Sequence, residues 1–171
     1  MSDIFVVSLI GEATPNDIQQ LAAITHENLG KWLVSKVNFI DNQVAGVLKV
    51  EAPKENKAAI VDAFKAYPNL TVLINDSDLI GDTTDETEYQ LRLDSDDRAG
   101  IVNDITHLLD SQRIRVLDLN SQRIFVSGNA GVSSTIFTAN IRVKVPAHIA
   151  IEDVTKELEA LGDNTRVMLE D

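Results

Sequence analysis

The sequence predicts an α+β protein built from two tandem βαββαβ units. The order strand, helix, strand, strand, helix, strand occurs twice, and corresponding elements are separated by about 82 to 84 residues. A chain of 171 residues has room for two small domains. A stretch rich in Asp, Thr and Ser, residues 76–87, lies between the two halves and is typical of a linker. These observations predict domains at 1–75 and 88–171, joined by an acidic linker at 76–87.

The first unit begins with a short apolar run at residues 4–10, which is typical of a buried strand. Thr14, Pro15 and Asp17 then have the spacing of a capped helix start, and Gly30 ends the helical pattern. The same unit continues with strands at 31–40 and 43–51, a helix at 53–66 and a strand at 70–74.

The second unit repeats this order. Residues 89–94 alternate between apolar and polar side chains, as a half-buried strand does, and a helix carrying Ile101, Ile105 and Leu109 follows. The remaining elements are strands at 114–125 and 135–145, a Ser-, Gly- and Asn-rich insertion at 126–134, a helix at 152–161 and a strand at 165–169. In a split βαβ unit both helices cover one face of a four-stranded antiparallel sheet, so each unit is predicted to be ferredoxin-like.

Composition and charge limit the functions that this chain can have. Hydrophobic residues make up 44% of the chain, as in ordinary globular proteins, and cysteine is absent, which suits a reducing cytoplasm. The net charge is −12, and a field of that sign repels phosphate backbones. The start of the chain has no basic, apolar leader, and no apolar run is long enough to span a bilayer. The sequence therefore predicts a cytoplasmic protein that binds neither nucleic acid directly nor a membrane.

Residues 97–102, Asp-Arg-Ala-Gly-Ile-Val, lie between the first strand and the first helix of the second unit. This stretch resembles the ACT domain family, whose first loop typically has the sequence Asp-Arg-Pro-Gly followed by an apolar pair; here Ala99 replaces the proline. The resemblance implies an amino-acid-sensing module whose ligand rests near this loop and the helix N-terminus. All arginines also lie in the second half of the chain, and a guanidinium group is a good partner for a carboxylate.

The physical chemistry of the loop agrees with such a role. A helix N-terminus offers unpaired amide donors to a carboxylate, and a glycine lets the backbone approach a small ligand closely. An aspartate of the loop can bind the ammonium group, and an asparagine of the following strand can donate or accept a hydrogen bond. The candidate ligand-binding residues are Asp96, Asp97, Arg98, Ala99, Gly100, Ile101 and Asn120, together with Asn38, which is placed at the position of Asn120 in the first unit. The alternative is that an aspartate merely caps the helix and Gly100 merely permits the turn.

The corresponding loop of the first unit, residues 11–18, has neither the Asp-Arg-Pro-Gly pattern nor a glycine beside the helix start. We expect that the first unit has lost ligand binding and kept a packing role. The tandem arrangement and the enlarged second hairpin resemble the two-ACT family of glycine cleavage system transcriptional repressors. That resemblance implies a non-enzymatic protein without a cofactor, which senses glycine and acts by binding a DNA-bound transcriptional activator.

Three alternatives remain open at this stage. The histidines, His26, His107 and His148, occur singly and no nucleophile or phosphate-loop motif is present, which disfavours an enzyme. Residues 76–81 begin like a calcium-binding loop, but Ile80 and Thr87 occupy positions where the loop needs oxygen ligands. A purely structural or oligomerising module without a ligand is the third alternative, because each unit leaves one sheet face free that a second chain can cover as a homodimer.

Overall fold

The computed structural model describes residues 1–77, 85–128 and 133–171. The chain divides into two compact units, Met1–Gly81 and Asp82–Asp171. None of the helices in these ranges is long and apolar enough to cross a membrane.

The first domain is a four-stranded antiparallel sheet with strand order β2-β3-β1-β4. Its elements are β1 (Ser2–Glu12), α1 (Pro15–Glu27), β2 (Lys31–Ile40), β3 (Gln43–Pro53), α2 (Lys54–Lys65) and β4 (Leu70–Asp76). The order β-α-β-β-α-β and the central position of β1 and β3 confirm the predicted ferredoxin-like unit.

The second domain repeats the same topology, with strand order β6-β7-β5-β8. Its elements are β5 (Glu86–Asp96), α3 (Ile101–Ser111), β6 (Arg115–Ser127), β7 (Ser133–Pro146), α4 (Ile151–Glu159) and β8 (Arg166–Glu170). The predicted tandem α+β fold is therefore confirmed.

Each core lies between the helices and one face of the sheet, because alternate side chains of a strand point to opposite faces. In the first domain Phe5, Val7 and Leu9 of β1 are buried against Leu21 and Phe64 from the two helices. In the second domain the matching side chains are Leu91 and Leu93 of β5, Ile105 and Leu109 of α3, and Val154 and Leu158 of α4. The opposite face of each sheet carries no helix of its own domain.

The second strand of each domain contains one β-bulge, between Trp32 and Val34 in β2 and between Val116 and Asp118 in β6. Because the bulge shifts the register by one residue, equivalent positions must be counted from it.

In β2 the first residue after the bulge that faces away from the helices is Val34, which pairs with Lys49. In β6 the corresponding residue is Asp118, which pairs with Arg142. The next outward-facing residue is Lys36 in the first domain and Asn120 in the second. Asn38 therefore corresponds to Gln122, one outward-facing position further along the strand. The expected equivalence of Asn38 and Asn120 is wrong, because equivalent residues of the two strands, such as Val34 and Asp118, are 84 residues apart, whereas Asn38 and Asn120 are 82 apart.

Several boundaries differ from the sequence-based expectations. The strand β4 continues to Asp76 and β5 begins at Glu86, so both ends of the predicted linker lie in strands. The strands β6 and β7 likewise extend into the predicted insertion at 126–134, where Ser127 pairs with Ser133. Residues 78–84, which include most of the calcium-loop candidate, lie outside the described residues.

Candidate functional site

The loop of the second domain runs from the end of β5 to Ile101, where α3 begins. Gly100 occupies the N-cap position in the left-handed region, with φ of +81°, and its carbonyl accepts from the amide of Asp104 at 2.9 Å. No side chain caps α3. Apart from its two chain neighbours, no residue lies within 4 Å of the place where a Cβ of residue 100 would be, so the space beside Gly100 is open. Neither aspartate of the loop therefore caps α3, so the alternative that they act as helix caps is wrong.

Both loop aspartates bind side chains of their own domain. Asp97 accepts from Arg123 Nε at 2.8 Å through Oδ1, and its side chain is 24% exposed. Asp96 accepts from Asn164 Nδ2 at 2.7 Å through Oδ2. A ligand ammonium group would have to share or displace these partners, so the aspartates are available only in part.

The remaining loop residues have distinct environments. Arg98 Nη2 donates to Asp104 Oδ2 at 2.7 Å and to the carbonyl oxygen of Leu161 at 3.3 Å, which ties the loop to α3 and to the segment after α4. Ala99 is exposed, whereas the side chain of Ile101 is only 2% exposed and belongs to the core. Ile101 can therefore contribute only its backbone to a ligand.

Asn120 does not lie beside this loop. It pairs with Asn140, which pairs with Arg92, four residues before Asp96 on β5. Four residues of an extended strand span about 13 Å, so the structure separates Asn120 from the loop along the sheet. Its Nδ2 group donates to Asp118 Oδ1 at 3.1 Å on the helix-free face.

The equivalent loop of the first domain is closed by its own side chains. Thr14 and Asp17 form a capping box at the start of α1, in which the Thr14 amide donates to Asp17 Oδ2 at 2.8 Å. The Thr14 backbone amide, and after it the Tyr67 hydroxyl at 2.7 Å, hold the pKa of Asp17 below its ordinary value. The hydrogen bond between the Tyr67 hydroxyl and Asp17 also raises the pKa of Tyr67. The helix start that is open in the second domain is thus occupied in the first.

Sequence reasoning missed a polar group of side chains on the helix-free face of the second sheet. These side chains and Asn120 surround a cavity of about 80 Å³. Besides Asn120, the residues that line the cavity are Gln90, Asp118, Asn140, Ile141 and Arg142. The available signal was the alternation of β5 and β7, which marks these polar residues as outward-facing but does not reveal that they meet.

Two larger cavities, of about 430 and 620 Å³, lie at the far ends of the helices. The first is next to Leu29 and Lys31 beyond α1, and the second is next to Asp110 and Arg113 at the end of α3. Neither cavity is lined by residues of the loop at the start of α3.

The histidines offer no site. His26, His107 and His148 are all exposed. Among residues 1–77, 85–128 and 133–171, no group of three or more His, Asp or Glu side chains is arranged to hold a metal ion.

No protein-family model matches the chain, and no curated protein matches it by sequence. An unknown protein from Galdieria sulphuraria has a similar structure, with a TM-score of 0.83, 18% identity and 99% and 98% of the two chains covered. A protein assigned as a glycine cleavage system transcriptional repressor is similar with a TM-score of 0.67 and 14% identity, over 100% of this chain and 99% of that one. The expected resemblance is confirmed at the level of the fold, over the whole length of both proteins.

Proposed function

We propose that this chain is a non-enzymatic regulatory protein that senses a small amino acid and controls transcription indirectly. The ligand, with glycine as the first candidate, binds at the loop of residues 96–101 in the second domain. Binding shifts the affinity for a protein partner, a DNA-bound transcriptional activator, by a coupling typically worth about 1–3 kcal/mol. The setting is the cytoplasm, which suits a chain without cysteine.

The observation that carries this proposal is the open N-terminus of α3. Gly100 leaves the first-turn amides of α3 without a side-chain cap, and a side chain at position 100 would meet no residue beyond its chain neighbours within 4 Å. Such amides bind carboxylates well, because their donors are unpaired and the helix dipole is positive there. The full-length similarity of the fold to the repressor supports the choice of regulation over catalysis.

The charge of the chain supports an indirect route to transcription. A net charge of −12 opposes the phosphate contacts on which DNA affinity depends. We therefore expect that the purified chain does not retard a DNA duplex at about 50 mM salt, where such contacts are strongest. Retardation that weakens steeply as salt is raised would contradict the indirect route.

The sensing step is tested by thermal denaturation in the presence of each of the twenty amino acids. A ligand that binds only the folded state and is present at 100 times its dissociation constant adds about 2.7 kcal/mol. We expect a selective shift with glycine or another small amino acid, and we expect Gly100→Val to abolish it while unfolding stays cooperative. The matched control is Thr25→Val in the first domain, which is destabilised to a similar extent but should keep the shift. No shift with any amino acid would refute the sensor.

A ligand-free interaction module is the second candidate, and the helix-free face of the first domain favours it. Ile10, Val47 and Leu73 are exposed there by 60%, 49% and 64%. If this face is an interface, the double substitution of Ile10 and Leu73 by Lys should lower the sedimentation coefficient measured at high protein concentration. An unchanged coefficient would leave sensing as the better account.

A further inference from the structure

The helix-free face of the second sheet carries a compact set of polar side chains. Across three neighbouring strands, Asp118, Arg142 and Gln90 form one row, and the next row is Asn120, Asn140 and Arg92. All of these residues except Arg92 line the cavity of about 80 Å³. The set combines a carboxylate, a guanidinium group and three amides around one depression.

The fold does not require this polarity. The six equivalent positions of the first domain, counted from the bulge, are Val34, Lys49, Val6, Lys36, Val47 and Ser8. No carboxylate and no amide side chain occurs among them, although the backbone and the register are the same. The polar set is therefore specific to the second domain.

The side chain of Arg142 is incompletely satisfied. Its Nε atom is buried and has no hydrogen-bond partner among the described residues, although Glu88 Oε1 lies 3.4 Å away. The side chain as a whole is 35% exposed, so the guanidinium group can reach solvent and the cavity. A buried N–H donor without a partner is uncommon, and a bound anion or water would supply one.

We propose that this depression is a second ligand site, which binds a small zwitterion such as a free amino acid. Arg142 binds the carboxylate, Asp118 binds the ammonium group, and the amides of Asn120, Asn140 and Gln90 supply further hydrogen bonds. Asp118 and Arg142 are directly opposite each other on paired strands, so one small molecule can span both charges. Opposite charges at this spacing favour a zwitterion over a simple anion or cation.

The size of the depression restricts the ligand. Sites for drug-sized molecules have volumes of about 300–1,000 Å³. A cavity of about 80 Å³ admits only a molecule of a few heavy atoms. The choice of glycine as the probe rests on the proposed function, whereas the choice of a zwitterion rests on the charges alone.

The experiment follows the ¹⁵N-labelled full chain by NMR during titration with glycine. We expect glycine to shift the Arg142 Nε–H signal and the side-chain amide signals of Asn120 and Asn140. Glycinamide, which has no carboxylate, and N-acetylglycine, which has no ammonium group, should each bind at least about tenfold more weakly, since a hydrogen bond to a charged group is lost.

Two substitutions test the site without disturbing the core. Arg142→Met and Asn140→Val should each weaken glycine binding, the former by at least about tenfold. Asn140→Val introduces the residue type found at the equivalent position of the first domain. The matched control is Arg166→Met, which removes a guanidinium group from β8 at the far edge of the same sheet and should leave the affinity unchanged.

The outcomes separate this site from the loop. If glycine binds and only Gly100→Val weakens it, the second site is refuted while the proposed sensor stands. If Arg142→Met removes the side-chain shifts and Gly100→Val keeps them, the second site is supported. If none of the twenty amino acids perturbs any signal, both the second site and the proposed function are refuted.

Discussion

The two domains share one backbone plan but differ on the sheet face that no helix of their own covers. In the first domain that face presents exposed apolar side chains, among them Ile10, Val47 and Leu73. In the second domain Asp94 and Asn140 occupy the positions of Ile10 and Val47, whereas Met168 occupies that of Leu73. The buried faces are alike, because both must pack against two helices. The difference teaches that the core maintains the fold while the outward face is free to acquire a separate role.

The loops before the first helices of the two domains also differ, in whether side chains cap the helix start. Thr14 and Asp17 satisfy the start of α1, whereas Gly100 leaves the start of α3 uncapped. The first domain thus combines a closed loop with an apolar patch on its helix-free face, and the second combines an open loop with a polar cluster around Asn140. Under the proposed function, packing falls to the first domain and ligand binding to the second.

The largest expected effect comes from two glycines, Gly11 near the end of β1 and Gly100 at the start of α3. A Cβ on Gly11 would overlap the carbonyl oxygen of Asn69, and Gly11 has φ of +151°. Gly11→Ala should therefore lower the free energy of unfolding by about 3 kcal/mol or more. Gly100→Ala meets no neighbour and should cost only about 1 kcal/mol, the strain of its positive φ. Urea denaturation measures both free energies, and equal losses would contradict this difference between the two glycine positions.

An intermediate effect is expected at Thr25, which has no polar counterpart in the second domain. Its buried hydroxyl accepts from the indole N–H of Trp32 at 3.1 Å and donates to the carbonyl oxygen of Leu21 at 2.9 Å. Thr25→Val should cost about 1–2 kcal/mol, because the indole N–H loses its partner. Trp32 is the only tryptophan, so its fluorescence reports on the first domain. Thr106→Val, on the partly buried side of α3, is the control, and its effect on that fluorescence transition should be negligible.

The smallest expected effect is on stability in acid. The pKa of Asp17 is lowered in the folded state, so an unfolded chain binds this proton more readily. The stabilisation is present above the ordinary pKa of 3.8 and is lost as the pH falls through the lowered value. Asp17→Asn should therefore show a shallower loss of stability below about pH 4. Urea titrations followed by Trp32 fluorescence measure this slope.

Asp62→Asn, which alters an exposed carboxylate of α2, is the control for that experiment. It should leave the slope in acid as it is in the unmodified chain. An identical slope for Asp17→Asn and the unmodified chain would contradict the role assigned to the capping box.

The secondary structure and its repetition could be predicted from the sequence, because they depend on local patterns. The capping box at Thr14 and Asp17 and the alternation at Phe137, Ala139 and Ile141 are examples, and each element that they predict is present. The ends of the strands were harder to predict from the sequence. Continuation of β5 back to Glu86 depends on pairing with Pro146, which is 60 residues away in the chain.

The candidate site could be predicted only in part. The open loop at Gly100 follows from a local motif and from a residue type that tolerates positive φ. The alignment of Lys36 rather than Asn38 with Asn120 requires an offset of 84 residues, which strand pairing fixes but an approximate repeat spacing does not. The meeting of Asp118, Arg142 and Gln90 requires the register of three strands, which no single segment contains.

The shared bulge also interrupts the edge of each sheet. Both bulges lie in the outermost strands, β2 and β6, each of which pairs with a strand of its own sheet on one side only, among the described residues. A regular edge of this kind is a template on which the strand of another molecule can add. The irregular residue interrupts the repeat of donors and acceptors near Trp32 and near Val116, so an incoming strand cannot stay in register along the full edge. The bulges thus discourage fibre-like stacking along these two edges.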